Sequence, residues 1–310
     1  MRIFVTGASG YVGHGVAKAF RAKGHRVYGL VRSEEKAAAL RLEEIIPVIG
    51  NLENPDSYRS ILNEIEVAVH CAFDFSTDKG VEKDAKTIDT ILKAFSESSL
   101  PRTFIYTSGV WVYGSRGYEM VDEAIILKPL EIVKWRPGHE EKVLKATSLK
   151  LRTVIMRPGF VYGCSGGLTD TLFASTSDGE VTIVGEGHNR WPMVHLKDLA
   201  HAYVSAAEKE VTGVIFNVVD DSTATLREMA EAIARESGLN GKIKSLSLQE
   251  ARRKFGSLAD GFAIDLTVNN SRIKRLLGWQ IHHAPFNYEI DIYFTAWRAS
   301  QIHGRELIGV

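Results

Sequence analysis

The sequence predicts an α/β fold in which a doubly wound parallel sheet is combined with a smaller C-terminal α/β cap. The first half of the 310-residue chain alternates short β-branched runs with amphipathic stretches, a pattern typical of a parallel sheet with helices on both faces. After Arg157 the pattern changes to glycine-punctuated loops followed by further helices. Because the ligand crevice of such a sheet opens at the carboxyl ends of its strands, functional residues are expected in the loops there.

The individual elements follow from the positions of these runs. Strands are predicted near Arg2–Thr6, Arg26–Val31, Ile46–Ile49, Val67–His70, Thr103–Thr107 and Thr153–Arg157. The helices between them are predicted to begin near Tyr11, Glu34, Asp56, Gly80 and Ile132. A later strand, Val214–Val218, is expected to return to the main sheet, and more helices are predicted near Lys197–Lys209, Leu226–Ser237, Ser271–Leu277 and Phe286–Ser300.

A glycine-rich loop joins the first strand to the first helix. Gly7 permits a tight turn, Gly10 lets the backbone approach a pyrophosphate, and Gly13 allows the helix to pack closely on the strand. The helix N-terminus then offers N–H groups and a positive dipole end to the phosphates. The loop therefore predicts a Rossmann-type site for a nicotinamide dinucleotide. Its expected contacts are Gly7, Ser9, Gly10, Tyr11, Val12 and Gly13.

The end of the second strand indicates which dinucleotide is preferred. An NAD enzyme usually has a carboxylate there to bind both ribose hydroxyls, but this chain has Val31 or Arg32. A guanidinium can pair with a 2′-phosphate, which a carboxylate would repel. Arg32 therefore favours NADP (NADPH) over NAD, with NAD still possible.

The composition argues against several classes of protein. The 38 basic side chains are balanced by 38 acidic ones, which speaks against a nucleic-acid partner. Cys71 and Cys164 are far apart and have no metal-ligand spacing, so neither a disulfide framework nor a metal site is expected. There is no apolar run of about 20 residues for a membrane span. These observations predict a soluble, cytoplasmic protein with a small-molecule substrate.

Several segments in order resemble the extended and atypical members of the short-chain dehydrogenase/reductase superfamily, the group of NAD(P)-dependent epimerases and dehydratases. Besides the glycine loop, Gly50-Asn51-Leu52 resembles the family's Gly-Asp-Leu near the adenine, and His70-Cys71-Ala72 resembles the segment under the cofactor. The segments 106–114 and 157–163 resemble those that follow the fifth and sixth strands. The resemblance implies cofactor contacts at Asn51, Leu52, Cys71, Ala72, Thr107, Ser108, Pro158, Gly159 and Val161.

The resemblance also implies a division of the chain. Residues 1–160, with a return segment at about 194–218, are predicted to form the NAD(P)-binding domain. Residues 161–193 and 219–310 are predicted to form the smaller substrate-binding cap. The family often dimerises through its fourth and fifth helices, but Pro137 and Gly138 are expected to interrupt the fifth here, which leaves monomer and homodimer open.

Redox members of the family use a Tyr and a Lys on the fifth helix, with three residues between them, together with a Ser or Thr. The lysine lowers the phenol pKa so that the phenol exchanges a proton with the substrate. The stretch Leu127–Ala146 contains no Tyr. One register of this stretch puts Val133 and Pro137 at the Tyr and Lys positions, and the other puts Ile132 and Arg136 there.

Three interpretations of the missing pair stay open. A substitute acid supports hydride chemistry, with Ser108, Tyr113 and His139 as the candidates. Alternatively, the protein is a non-catalytic NAD(P)(H)-binding sensor or scaffold, or it carries out non-redox chemistry such as isomerisation. The first is favoured: an NADP-preferring, atypical oxidoreductase or epimerase-like protein that acts on a small carbonyl or hydroxyl compound. The expected substrate pocket is formed by Trp111, Arg190, Trp191 and His195.

Overall fold

A computed structural model describes residues 1–74 and 79–303 of the chain. Its centre is a parallel sheet of seven strands, which confirms the predicted doubly wound fold. The strands are β1 (Arg2–Thr6), β2 (Arg26–Val31), β3 (Ile46–Ile49), β4 (Val67–His70), β5 (Arg102–Thr107), β7 (Leu151–Pro158) and β11 (Val214–Val218). Their spatial order is β3-β2-β1-β4-β5-β7-β11. The strands are added in one direction from β1 to β3 and in the opposite direction from β4 onwards, and ligands of such sheets bind at the point where this order reverses.

Helices cover both faces of the sheet. They are α1 (Tyr11–Ala22), α2 (Glu34–Leu42), α3 (Asp56–Arg59), α4 (Gly80–Ser96), α5 (Arg136–Lys145) and α7 (Leu196–Glu208). Side chains alternate along β1, so Ile3 and Val5 join the core beneath α1 and α7, whereas Phe4 joins the core beneath α3 and α4. Burial on both faces explains the continuous apolar runs of these strands.

Most of the remaining elements surround a third apolar core, whereas the helix Ser271–Leu277 packs on the core beneath α1 and α7. The strands are β6 (Met120–Val121), β8 (Phe160–Tyr162), β9 (Val181–Val184), β10 (Met193–His195), β12 (Ile243–Leu246) and β13 (Thr267–Val268). They pair in parallel as β8 with β10, β9 with β12, and β6 with β13. The helices are α6 (Asp170–Ser175), α8 (Leu226–Glu236), α9 (Leu248–Phe255), α10 (Leu258–Phe262), α11 (Ser271–Leu277) and α12 (Ile290–His303).

Two predicted helices differ from the structure. The helix expected to begin near Ile132 begins at Arg136, after a 3₁₀ turn at Glu131–Val133. Pro137 lies in the first helical turn, where its missing N–H costs no intrahelical hydrogen bond, so the expected interruption of this helix is wrong. The predicted helix Phe286–Ser300 is a 3₁₀ turn followed by α12.

The domain division stays a prediction. The structure places β11 beside β7 at the edge of the main sheet, as the sequence predicted for the returning strand. Residues 304–310 of the predicted cap lie outside the described residues.

A buried carboxyl group, Asp220, follows β11. Its Oδ1 accepts a hydrogen bond from the Ser222 N–H (2.8 Å), and its Oδ2 lies 3.3 Å from the Tyr162 hydroxyl. Burial raises the pKa of Asp220 to about 7, against the effect of these hydrogen bonds. The Tyr162 hydroxyl also lies 2.9 Å from the Ala284 carbonyl, to which it can donate. A protonated Asp220 can then donate to Tyr162.

We expect Asp220→Asn to stabilise the protein at pH 8 by roughly 1–3 kcal/mol. The unfolded carboxyl titrates near 3.8 and the folded one near 7, so the folded state binds more protons between these values and wild-type stability falls as the pH rises through them. The amide stays neutral throughout. Urea unfolding should therefore show a gain at pH 8 that disappears near pH 4.

Asp221→Asn is the matched control, because Asp221 is exposed and pairs with Lys274 at 2.7 Å. It should give no gain at pH 8. An equal gain from both substitutions would contradict the explanation based on the burial of Asp220.

Candidate functional site

The glycine loop between β1 and α1 forms a tight cradle. Gly7 has φ +70°, and the Gly10 N–H donates to its carbonyl oxygen at 2.8 Å. A Cβ atom on Gly13 would lie 2.2 Å from the Gly7 oxygen, so only glycine fits there. The first turn of α1 contains no acidic residue that would oppose a phosphate. Backbone geometry and charge at this turn therefore fit the pyrophosphate of a dinucleotide.

Tyr11 links this loop to the loop after β8. Its hydroxyl donates to the Gly163 carbonyl at 2.6 Å. A Cβ on Gly166 would lie 2.5 Å from the Tyr11 ring, so glycine there lets the backbone pack directly on the ring. Ser9 is half-buried within the turn, and Val12 lines the cleft described below.

Three predicted cofactor residues lie at the β2 and β3 ends of the sheet. Arg32 follows β2 directly and is exposed. Asn51 follows β3 by two residues, and its Oδ1 accepts a hydrogen bond from the Asn54 N–H at 2.9 Å. Leu52 is half-buried against the core on the α3 and α4 side of the sheet.

The loop after β4 packs tightly under the glycine turn. The Ala72 N–H donates to the Thr6 hydroxyl at 3.2 Å, and Ala72 Cα lies 3.0 Å from where a Gly7 Cβ would stand. The Thr107 hydroxyl lies 3.4 Å from Cys71 Sγ. Burial raises the pKa of the Cys71 thiol to about 12, so it stays protonated at neutral pH.

A cleft of about 240 Å³ opens at the carboxyl ends of β4, β5 and β7. It brings together six of the residues predicted from sequence: Val12, Ser108, Trp111, Pro158, Gly159 and Val161. It also contains residues that were not predicted there: Phe73, Gly109, Val110, Ile132, Val133, Trp135, Arg136, Phe160 and Leu168. Residues of the cofactor loop and of the predicted catalytic segment thus share one cleft.

Ser108 is the polar residue on the β5 side of this cleft. Its Oγ is buried and has no hydrogen-bond partner among the described residues. Its N–H donates to the Met156 carbonyl at 2.7 Å, which fixes the backbone. A buried hydroxyl without a partner loses its hydration without compensation, so a ligand atom that bonds to it restores the lost interaction.

Arg136 supplies the positive charge in the cleft. Its Nη1 donates to the Thr107 carbonyl at 2.8 Å, and its guanidinium lies 4.6 Å from the Trp135 ring centroid. The sequence identified Arg136 only as an occupant of the Lys position in one register. Arg136 lines the cleft and Pro137 does not, so the geometry favours that register.

Tyr113 is buried behind the cleft. Its hydroxyl donates to Asn217 Oδ1 (2.6 Å) and accepts from Arg157 Nη1 (2.8 Å), and Arg157 forms a buried ion pair with Glu140. Burial raises the pKa of Tyr113 to about 12. The structure therefore does not bring this predicted acid to the cleft, because its hydroxyl is engaged in an internal network.

His139 forms a pair with Asp84 of α4. The ring Nδ1 lies 2.7 Å from Asp84 Oδ2, and the same carboxylate lies 3.2 Å from His70 Nε2. Burial raises the pKa of the Asp84 carboxyl, but its bonds to His139 and His70 lower the pKa by more. The pKa of Asp84 is therefore well below its usual range. His139 packs against the edge of Trp135, outside the residues that line the cleft.

The other residues predicted for the substrate pocket lie elsewhere. Arg190 lies 3.9 Å from Asp265. The fully buried Trp191 stacks on Phe160 at 4.3 Å and donates from Nε1 to a backbone carbonyl. His195 caps α7 by accepting from a backbone N–H, and burial lowers its pKa to about 4. Of the four predicted pocket residues, the structure therefore brings only Trp111 to the cleft.

Comparison with known sequences decides the family. The sequence model of the NAD dependent epimerase/dehydratase family matches residues 3–219. The chain belongs to this family. Membership in the NAD dependent epimerase/dehydratase family confirms the resemblance that the sequence motifs indicated. This membership also supports a nicotinamide dinucleotide as the cofactor. The residues that hold the cofactor stay predictions.

Individual relatives agree with this assignment. Protein C2A9.02 of Schizosaccharomyces pombe is 32% identical over 302 residues, which cover 95% of this chain and 100% of that protein. A 4-hydroxy-2-methyl-3-oxo-4-farnesyl-3,4-dihydroquinoline-1-oxide ketoreductase of Stigmatella aurantiaca is 25% identical, with 81% of this chain and 78% of that protein covered.

Solved structures of the NAD dependent epimerase/dehydratase type share the fold. dTDP-glucose 4,6-dehydratase of Bacillus anthracis, in complex with NAD, has a TM-score of 0.83 at 16% identity and covers 99% of both chains. Human epimerase family protein SDR39U1 with NADPH has a TM-score of 0.77 at 21% identity, covering 95% of this chain and 99% of that one. Within the described residues, no helix has the length and apolar character needed to cross a membrane.

We expect Gly13→Ala to weaken NADPH binding about tenfold or more, because its Cβ would clash with the Gly7 carbonyl and shift α1 away from the turn. Fluorescence titration measures the affinity, and circular dichroism verifies the fold. Gly138→Ala is the control: Gly138 is exposed in α5, and no atom lies within 4 Å of its added Cβ. Unchanged affinity in a folded Gly13→Ala protein would refute the role of this turn.

Proposed function

We propose that this chain is an NADPH-dependent oxidoreductase that reduces a carbonyl group, or oxidises the corresponding hydroxyl, of a small molecule. The observation that carries the proposal is the buried, unpartnered Ser108 hydroxyl in a cleft that Val12 of the cofactor loop also lines. The ketoreductase activity in the name of the Stigmatella relative supports the same reaction class.

The side chains of the cleft support a simple division of roles. When bound, the nicotinamide ring supplies or accepts the hydride. Ser108 Oγ donates a hydrogen bond to the substrate oxygen and passes the proton that this oxygen gains on reduction, with solvent as the source. The Arg136 guanidinium contributes positive charge and N–H donors to the cleft and is not assigned the proton transfer. The apolar walls limit the access of water.

His139 is the second proposed proton carrier. Asp84 binds the Nδ1 side of the ring, which leaves Nε2 as the nitrogen that exchanges a proton. Asp84 would then act as a positioning residue. Because Trp135 lines the cleft and His139 packs on Trp135 without lining the cleft, we assign His139 a supporting role and Ser108 the contact with substrate.

Arg32 is the proposed determinant of cofactor choice. It is exposed directly after β2, and within residues 1–74 and 79–303 its guanidinium has no ion pair or hydrogen bond. A free guanidinium at this strand end can form charge-assisted bonds with a 2′-phosphate. NADPH in the structure of SDR39U1 is consistent with this preference for a protein of the same fold.

We expect Arg32→Ala to raise the dissociation constant for NADPH about tenfold, while that for NADH changes little. Isothermal titration measures both affinities. Arg41→Ala removes the same charge from the neighbouring helix α2, where Arg41 pairs with Glu34, and should leave the ratio of the two constants unchanged. Tighter binding of NADH than of NADPH by the wild type would overturn the proposed preference.

A non-catalytic sensor is the second candidate, and one observation favours it. Arg136 is the one formally charged side chain among the described residues that line the cleft. No carboxylate, imidazole, lysine or tyrosine is found among those lining residues, so the cleft offers no side-chain acid of near-neutral pKa. Tight NADPH binding without turnover, and capture of a partner only when NADPH is bound, would support the sensor.

Ser108→Ala separates the two candidates. For the oxidoreductase, kcat/KM for NADPH-dependent carbonyl reduction should fall roughly 10- to 100-fold, because the substrate oxygen loses its hydrogen bond. The affinity for NADPH should stay within about twofold. The exposed Ser96→Ala on α4 is the control. Absence of NADPH oxidation by the wild type across aldehydes, ketones and nucleotide sugars would reject the oxidoreductase.

A further inference from the structure

Aromatic side chains form two walls of the cleft. On one side, Phe73 and Trp135 stack with ring centroids 4.9 Å apart and an interplanar angle of 10°. On the other side, Trp111 meets Phe160 edge to face at 5.7 Å. All four line the cleft. Aromatic surface of this extent binds flat apolar ligands better than hydroxyl-rich ones, whose polar groups would lose hydration without compensation.

The Trp111 wall is fixed by the element behind it. A Cβ on Gly261 of α10 would lie 2.4 Å from Trp111 Cζ2, so the indole packs directly on the helix backbone. The Trp111 carbonyl accepts a hydrogen bond from the Leu130 N–H at 3.1 Å. This wall is therefore held in place before any ligand arrives, which lowers the entropic cost of binding.

Polar anchors in the cleft are few. Among the described lining residues, and apart from the Trp111 indole, the side chains with polar atoms available to a ligand are Ser108 and Arg136. The Trp135 indole N–H already donates to the Ile132 carbonyl at 3.2 Å. Arg136 is bound to the Thr107 carbonyl. Ser108 thus offers one hydrogen bond to one ligand oxygen.

Two arginines outside the cleft lining, Arg190 and Arg116, are already engaged in internal contacts. Arg190 lies over the Tyr118 ring at 5.1 Å and beside Asp265. Arg116 donates from Nε to the Tyr113 carbonyl at 2.9 Å and from Nη2 to the carbonyl of Ile126. A nucleotide sugar carries a diphosphate that needs several free cations or N–H donors. These two arginines would have to break internal contacts to supply them.

The volume of the cleft also favours a small substrate. Clefts for drug-sized molecules hold roughly 300–1,000 Å³, and this one encloses about 240 Å³. The predicted cofactor contacts Val12, Pro158, Gly159 and Val161 also line this cleft, so the nicotinamide ring would share the space, which leaves room for a small compound and not for a nucleotide sugar.

We infer that the substrate is a flat aromatic or conjugated carbonyl compound, held against Trp111 with its oxygen on Ser108, and not a nucleotide sugar. This inference rests on the proposed function, because it names the substrate class of the same site. In the reduction, a hydride from NADPH forms the new C–H bond, the carbonyl π bond breaks, and its oxygen gains a proton from solvent. NADPH is oxidised and the carbonyl carbon is reduced.

Binding to the NADP⁺-loaded protein tests the substrate class without turnover, because the oxidised cofactor has no hydride to give. Equilibrium dialysis compares 2-naphthaldehyde, cyclohexanecarbaldehyde and UDP-glucose. We expect 2-naphthaldehyde to bind at least about tenfold more tightly than either of the others. Trp111→Leu should weaken its binding about fivefold and affect cyclohexanecarbaldehyde less than twofold.

Two further variants are controls for effects that do not depend on the aromatic ring at position 111. Trp111→Phe keeps an aromatic face and should retain most of the preference for 2-naphthaldehyde even where the fold is slightly perturbed. Tyr288→Leu removes an exposed aromatic ring outside the cleft lining and should change none of the three affinities. Thermal unfolding followed by circular dichroism verifies that each variant is folded.

The outcomes separate this inference from the proposed function. Tight binding of 2-naphthaldehyde without oxidation of NADPH would uphold the substrate class and reject the oxidoreductase. NADPH oxidation with UDP-glucose as the better ligand would uphold the oxidoreductase and overturn the substrate class. Equal loss of 2-naphthaldehyde and cyclohexanecarbaldehyde in Trp111→Leu, or no binding of 2-naphthaldehyde to a protein that holds NADP⁺, would also overturn it.

Discussion

The close approach of α1 to the β1 turn is the constraint on which the rest of the structure depends. Gly13 must lack a side chain for the helix to pass the Gly7 carbonyl, and a Cβ on Gly15 would lie 2.9 Å from Leu196 of α7. Two glycines on one helix therefore fix its distance both from the sheet and from the neighbouring helix. Tyr11 lies at the start of the same helix and donates a hydrogen bond to the Gly163 carbonyl, which fixes the loop after β8 relative to α1.

Parallel strands explain why residues distant in sequence meet in one cleft. The segments that follow β1, β4, β5 and β7 emerge at the same edge of the sheet, and each supplies at least one lining residue. Behind this edge, Arg157 of β7 is buried against Glu140 and Tyr113. Removal of one member would leave a charge buried without its partner, which is far more costly than the pair itself. The network thus holds β7, α5 and the segment after β5 in register beneath the cleft.

The sequence predicted the sheet well because its strands are buried on both faces and bounded by glycine or polar residues, as at Arg26–Val31 and Val214–Val218. It predicted the tight turn between β1 and α1 because glycine spacing reflects local backbone geometry. It did not place Trp191 and His195 correctly, because their packing partners come from segments far along the chain. Phe73 and Trp135 were missed as a wall of the cleft for the same reason, since only the folded chain brings their rings together.

Arg136 shows why cofactor binding and chemistry have separate requirements in this protein. A lysine beside a tyrosine lowers the phenol pKa and so creates an acid. Here the Arg136 guanidinium is bound to the Thr107 carbonyl and keeps the positive charge. One turn earlier, Ile132 stands in place of the tyrosine, so there is no phenol whose pKa this charge could lower. Proton transfer must then use a hydroxyl, a water molecule or a more distant imidazole, each a weaker acid or a longer path than the usual pair. The glycine turn involves none of these groups. The β1–α1 turn and the cleft that Arg136 lines therefore meet separate requirements, one of backbone geometry and one of proton supply.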